Sequence, residues 1–218
     1  ARQMPRDDAA LFMGLVIGDD RAQPRDMITA FRASGLSHLT AVSGQNVAFV
    51  LTVFGSYINR ARTWWRLGLT LFLLGWFVVI TRAEPSVLRA SMMAAMTAIA
   101  FARGRDLSAR KALLYSVCVL LAIDPLLILS IGFWMSSLAT SGLIFVTPWL
   151  KKLLHGPRWF NEPLSTTLGA QLGVMPVSLF IFSSAPAISL VTNLLAVPVA
   201  GFVMLVGMPV AFICGLFI

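Results

Sequence analysis

The sequence predicts an all-α integral membrane protein, a polytopic helical bundle of about seven or eight spans with broken or re-entrant helices. Three observations lead there. The 218 residues are 58% hydrophobic and only 12% charged, whereas a soluble domain is about 45–50% apolar and about 25% charged. Apolar runs recur at lengths that approach the ~20 residues needed to cross a hydrocarbon core. The charges collect in alternate loops, as they do when Lys and Arg are retained on the cytoplasmic side. Residues 1–38 read as an extracytoplasmic, interfacial segment, and 39–218 as the transmembrane domain.

In chain order, Ala9 to Ile17 is apolar but too short to span. Arg25 to Gly35 reads as an amphipathic surface helix, with Met27, Ile28 and Phe31 opposite Arg25, Asp26 and Arg32. Spans are expected at 39–58, 65–81, 86–102, 110–123, 126–149 and 164–183. The stretch 187–218 reads as one broken or two short segments, interrupted by Pro198 and Pro209. Asp124-Pro125 separates the fourth and fifth spans, because the residue before proline is pushed out of the helical region. The chain starts without Met and stops inside an apolar run, so it is expected to be a piece of a longer protein.

The net charge of +8 has a topological explanation. Arg60, Arg62 and Arg66, then Arg103, Arg105, Arg110 and Lys111, then Lys151, Lys152 and Arg158 fall in three loops opposed only by Asp106 and Glu162. The alternate loops hold Arg82 with Glu84, then Asp124 alone. The first set is therefore expected in the cytoplasm and the second outside. Before residue 39 five arginines balance five aspartates, as suits an outside segment.

The polar groups at membrane depth are the candidate functional residues. The stretch Ser34 to Val47 carries His38, Ser43, Gly44, Gln45 and Asn46 at the mouth of a span. Small residues allow close backbone approach, and polar groups there need a protein partner or a water-filled cavity. Arg89 lies one turn inside a span that starts at Pro85; it faces either a polar path or, by snorkelling, the outer interface. Ser136, Ser137, Thr140, Ser141, Gln171 and Asn193 either bond neighbouring helices or add to an aqueous path. Phe133, Trp134 and Trp149 are aromatic candidates for stacking on bases, for lipid contact or for interface anchoring.

Other chemistry is poorly served. Ser43 has only His38 and His155 as bases; His38 stands at a poor helical spacing and His155 lies in an expected cytoplasmic loop among lysines, so an intramembrane serine protease is a minor alternative. Cys118 and Cys214 sit in apolar runs as small buried hydrophobes, and no metal-ligand spacing surrounds them; neither metal nor cofactor is expected. A small-solute secondary transporter, with Asn193 and the proline-broken last segment forming a midplane site, is the main alternative class.

Six motifs in order carry a family resemblance: Ala10 to Asp19, Phe31 to Gly44, Pro85 to Ala90, Asp124-Pro125 with Ser130 to Phe133, Gln171 followed by Pro176, and Asn193 to Pro198. Together they resemble the competence domain of the ComEC-type DNA-internalisation channels. Two departures are Trp134-Met135-Ser136-Ser137 where the family usually has Gln-Leu-Ser-Phe, and Asn46 where it often has His. The resemblance implies no catalysis. It implies passage of single-stranded DNA across a bacterial inner membrane in natural transformation, with other DNA-uptake proteins as partners. It also implies a path through Ser43, Gly44, Gln45, Asn46, Arg89, Ser136, Gln171 and Asn193, with His38, Pro85, Asp124 and Pro198 as motif residues. Relatives of this kind carry an OB-fold domain before the region and a metallo-β-lactamase-like domain after it.

Overall fold

A computed structural model describes residues 10–11, 23–33, 44–58, 62–182, 192, 196, 199–203 and 206–207, and the described residues form helices without a strand. We number the helices α1 (Arg25–Ala33), α2 (Gly44–Ile58), α3 (Thr63–Ile80), α4 (Pro85–Ala102), α5 (Ala109–Ile123), α6 (Ile131–Phe145), α7 (Thr147–Leu153) and α8 (Arg158–Phe182). A 3-10 turn, Pro125–Leu129, joins α5 to α6. Helix α1 is the expected amphipathic one, with Arg25 and Asp26 exposed and Met27 and Ile28 half-buried.

Among the described residues three helices, α3, α4 and α8, are each long and apolar enough to cross a membrane, and α6 with α7 makes a fourth if that bent pair is one span. Helices α2 and α5 have 15 residues each, short of the usual range for a span. Proline explains two departures from the expected segments. The stretch 126–149 opens as the 3-10 turn and bends by 43° between α6 and α7, where Pro148 follows Thr147. By contrast, α8 runs through both Pro163 and Pro176, and begins six residues before the expected 164.

The ends are set by local chemistry. Pro85 opens α4 at a position whose N–H has no helical partner in any case. The Asp124 carboxylate accepts the Leu126 N–H at 3.0 Å, and Ser130 Oγ caps α6 by accepting from Phe133 N at 3.3 Å. Helices α3 and α4 both end in six-to-one turns, Ala83 N to Val78 O at 2.8 Å and Arg105 N to Ala100 O at 2.9 Å. Gly104 (φ 68°) is left-handed at the end of α4, and Arg82 (φ 54°) and Ala83 (φ 57°) are left-handed at the end of α3.

Helix α4 is the hub, packed on α2, α3, α5 and α6. One face puts Val87 with Val47, Val50, Leu74 and Phe77 of α2 and α3. A second packs Leu88 and Met92 on Leu120, Leu127 and Phe133. At 100° per residue, Arg89 and Met93 stand on a third face, between the two clusters. Cys118 is exposed, against the expectation of burial: in an apolar run at a bundle surface, an apolar residue need not be inside the protein.

Antiparallel neighbours gather the basic loops at one end. The Arg66 guanidinium lies over the Phe101 ring at 4.5 Å, and that of Arg110 over Phe145 at 5.3 Å. The start of α3 therefore lies beside the end of α4, and the start of α5 beside the end of α6.

Candidate functional site

Arg89 is 5% exposed, too deep to snorkel. Its Nε donates to Ser136 Oγ of α6 at 2.9 Å, and its Nη1 lies 3.0 Å from Met93 Sδ, one turn along α4. Across the gap is Gly44, at the start of α2. A methyl group there would sit 3.2 Å from Arg89 Nη2 and 3.0 Å from Ala90 Cβ, so the missing side chain makes room for the guanidinium. Thus α2, α4 and α6 converge on one buried cation. All its described partners are neutral, and the single ion pair among the described residues is Lys151–Glu162, at 3.8 Å on the surface.

Other candidates divide. Asn46 is 1% exposed and Gln45 half-buried in the first turn of α2, next to Gly44. Ser137 Oγ, beside Ser136, is buried with no hydrogen-bond partner among the described residues. Thr140 and Ser141 instead bond the carbonyls of Ser136 and Ser137 one turn back at 3.0 and 2.9 Å, the purely structural role open to such residues. Gln171 is half-buried on α8. His38, Ser43, Asn193 and Pro198 lie outside the described residues. Pro85 and Asp124 act at helix starts. Phe133 is 0% exposed in the core and thus closed to stacking on a base, whereas Trp149 is exposed and half-exposed Trp134 donates its Nε1–H to Ile128 O at 2.7 Å.

One contact was missed in the sequence. Gly169 and Gly173 on α8 face Gly142 on α6. A methyl at Gly142 would overlap the Gly169 carbonyl, one at Gly173 the Leu138 carbonyl, and one at Gly169 the Thr147 hydroxyl. The signal was present, since Gly169-Ala170-Gln171-Leu172-Gly173 is a Gly-x-x-x-Gly pattern within an apolar helix. At 100° per residue, Gln171 stands about 180° round α8 from that glycine ridge. Among the described residues no three of His, Cys, Asp and Glu come together.

A helix bundle with members able to cross a bilayer, and with a buried arginine whose described partners are neutral, defines a helical membrane protein with a polar centre. The chain belongs to the family described as Competence protein, whose model matches residues 15–218. It is 26% identical to the uncharacterized protein YcaI of Escherichia coli strain K12, over 89% of this chain and 28% of that protein. It is 31% identical to ComE operon protein 3 of Bacillus subtilis strain 168, over 94% of this chain and 26% of the relative. With competence protein ComA of Neisseria gonorrhoeae the identity is 28%, over 88% of this chain and 28% of the relative. The chain thus spans about a quarter of the length of the curated relatives it matches. No solved structure matches it at a significant level.

Proposed function

We propose that this chain forms part of the path by which single-stranded DNA crosses the bacterial inner membrane during natural transformation. The observation that carries the reading is Arg89, a cation held at the meeting of three helices among neutral groups alone of those described. Burying an unpaired charge is costly, and an intramembrane arginine marks a pathway or a pairing. A passing phosphate supplies the missing anion, one phosphate at a time. Neutral hydrogen-bonding groups around it suit a strand that must keep moving, because a cluster of fixed cations would hold it. In this reading Ser43, Gly44, Gln45, Asn46 and Ser136 line the path, joined farther along the chain by Gln171 and Asn193.

The wider picture follows from the charges. The loops near Arg62, Arg105 and Lys152 face the cytoplasm, while Glu84 and Asp124 lie outside. Residues 1–38 rest at the outer interface, and 39–218 make seven or eight passes in which the short helices α2 and α5 count as spans or re-entrant pieces. Flanking OB-fold and metallo-β-lactamase-like domains, and other DNA-uptake proteins, complete the machine, and this region itself carries out no catalysis. The names of two relatives, which mention competence or a ComE operon, support this class.

Entry of radiolabelled DNA into a deletion strain complemented with the gene tests the role. Arg89→Met keeps the length and apolar bulk without the charge, so the protein should reach the membrane with undiminished thermal stability while DNA entry is lost. Near-normal DNA entry with Arg89→Met would overturn the proposal.

A further inference from the structure

At the basic end, α2, α3 and α4 leave a groove of about 480 Å³ between them. Its inner wall is Leu51, Leu67, Ala94 and Ala98, and Arg66 with Phe101 stands at its mouth. A second hollow of about 420 Å³, lined by Arg105 and Asp106, shares Thr63, Phe101 and Ala102 with the first. From Phe101 to Ala94 the groove follows about two turns of α4, roughly 10 Å into the span. Arg62 and Arg103 flank the mouth, so four arginines there face one acid, Asp106. Trp64 and Trp65, 68% and 72% exposed, stand beside it as aromatic residues do at the headgroup level. The described part of the final segment packs elsewhere on α2, with Gly201 against Phe49.

We propose that this groove is a binding site for an anionic phospholipid, with an acyl chain against Leu51, Leu67, Ala94 and Ala98 and the phosphate between Arg66 and Arg105. The apolar wall and the cationic mouth are stacked in the order in which a lipid presents its tail and its headgroup. Arg66 is already oriented, since its guanidinium rests on the Phe101 ring and keeps its donor edges free for an anion. The site rests on the basic end lying at a bilayer surface and is independent of DNA transport. It ties the end of the bundle that carries the positive loops to the anionic leaflet.

The test is native mass spectrometry of delipidated protein in detergent, titrated with phosphatidylglycerol or with phosphatidylcholine. The first phosphatidylglycerol should bind more tightly than phosphatidylcholine by about five-fold for each arginine engaged, because a basic residue near an anionic lipid surface contributes about 1 kcal/mol. Arg66→Gln with Arg105→Gln should bring the two lipids to equal affinity. Gly55 lines the groove, and a Cβ added there meets nothing within 4 Å, so a larger side chain has open space to enter. Gly55→Phe should therefore fill the groove and weaken both lipids, whereas Gly55→Ala should change neither. Equal affinities in the unaltered protein, or unchanged preference in the arginine pair variant, would overturn the site. So would displacement of phosphatidylglycerol by a single-stranded oligonucleotide, which would assign the groove to nucleic acid. If Gly55→Phe does not fold, the arginine pair, on accessible side chains, decides alone.

Discussion

Replacing Gly173 by alanine tests the backbone contact between α6 and α8, and the expected cost can be worked out. An alanine methyl at that position would overlap the Leu138 carbonyl and come within 3.1 Å of Gly142 Cα and N. All three are backbone atoms, which cannot swing aside as a flexible side chain does, so the helices have to part. Overpacking of this kind costs about 1–3 kcal/mol, and a rigid neighbour puts it near 3. The better helix propensity of alanine returns about 1 kcal/mol, leaving a net loss of about 2. At Gly75, on α3, the added methyl meets nothing within 4 Å, so Gly75→Ala keeps the propensity gain without the clash. The two variants should therefore differ by about 3 kcal/mol, which equilibrium unfolding of the purified protein by a denaturing detergent will resolve. Because Gly142→Ala opens the same gap from the other side, the double variant should cost less than the sum of the singles. Equal stabilities for Gly173→Ala and Gly75→Ala would refute the reasoning. In a bilayer there is little hydrophobic force between helices, so close backbone packing contributes more of their association than it does in water.

The two helix ends offer a second test. Arg82→Gly should stabilise the protein by about 0.5–1 kcal/mol by relieving a left-handed residue with a Cβ, while Gly104→Ala should destabilise it by about 1–2 kcal/mol, both read by the same unfolding assay. At Gly44, alanine needs Ala90 and Arg89 to yield only a few tenths of an ångström, so DNA entry should fall slightly; Gly44→Leu displaces the guanidinium from Ser136 and should abolish it. Ser136→Ala should cost about 1.5–3 kcal/mol, the contribution of a hydrogen bond to a charged group, and Ser136→Thr should recover most of it. With Cys118 and Cys214 replaced by serine, Glu84→Cys should react with an impermeant maleimide in intact cells and Arg105→Cys only after permeabilisation.

Most of the outline was legible along the chain because a bilayer imposes one-dimensional rules. Apolar length decides what can span, and the starts and ends of α3 and α4 fell within two residues of the expected ones. Pro85 and Asp124 act locally, through a missing N–H and a carboxylate, so their effect needs no tertiary partner. The sequence also marked Arg89 as out of place, since a charge at that depth demands a reason. What it left open was which reason. Only packing decided that Arg89 turns inward, because Ser136 is 47 residues away and Gly44 is 45 away on a third helix. Packing also separated Ser136, which holds the guanidinium, from Thr140 and Ser141, which bond their own helix, although all three read alike in sequence. The same holds for the bend at Pro148 and the continuity of α8 through Pro163 and Pro176. A proline in a helix interior removes one hydrogen bond, but whether the helix then bends depends on the neighbours that meet its exposed carbonyl.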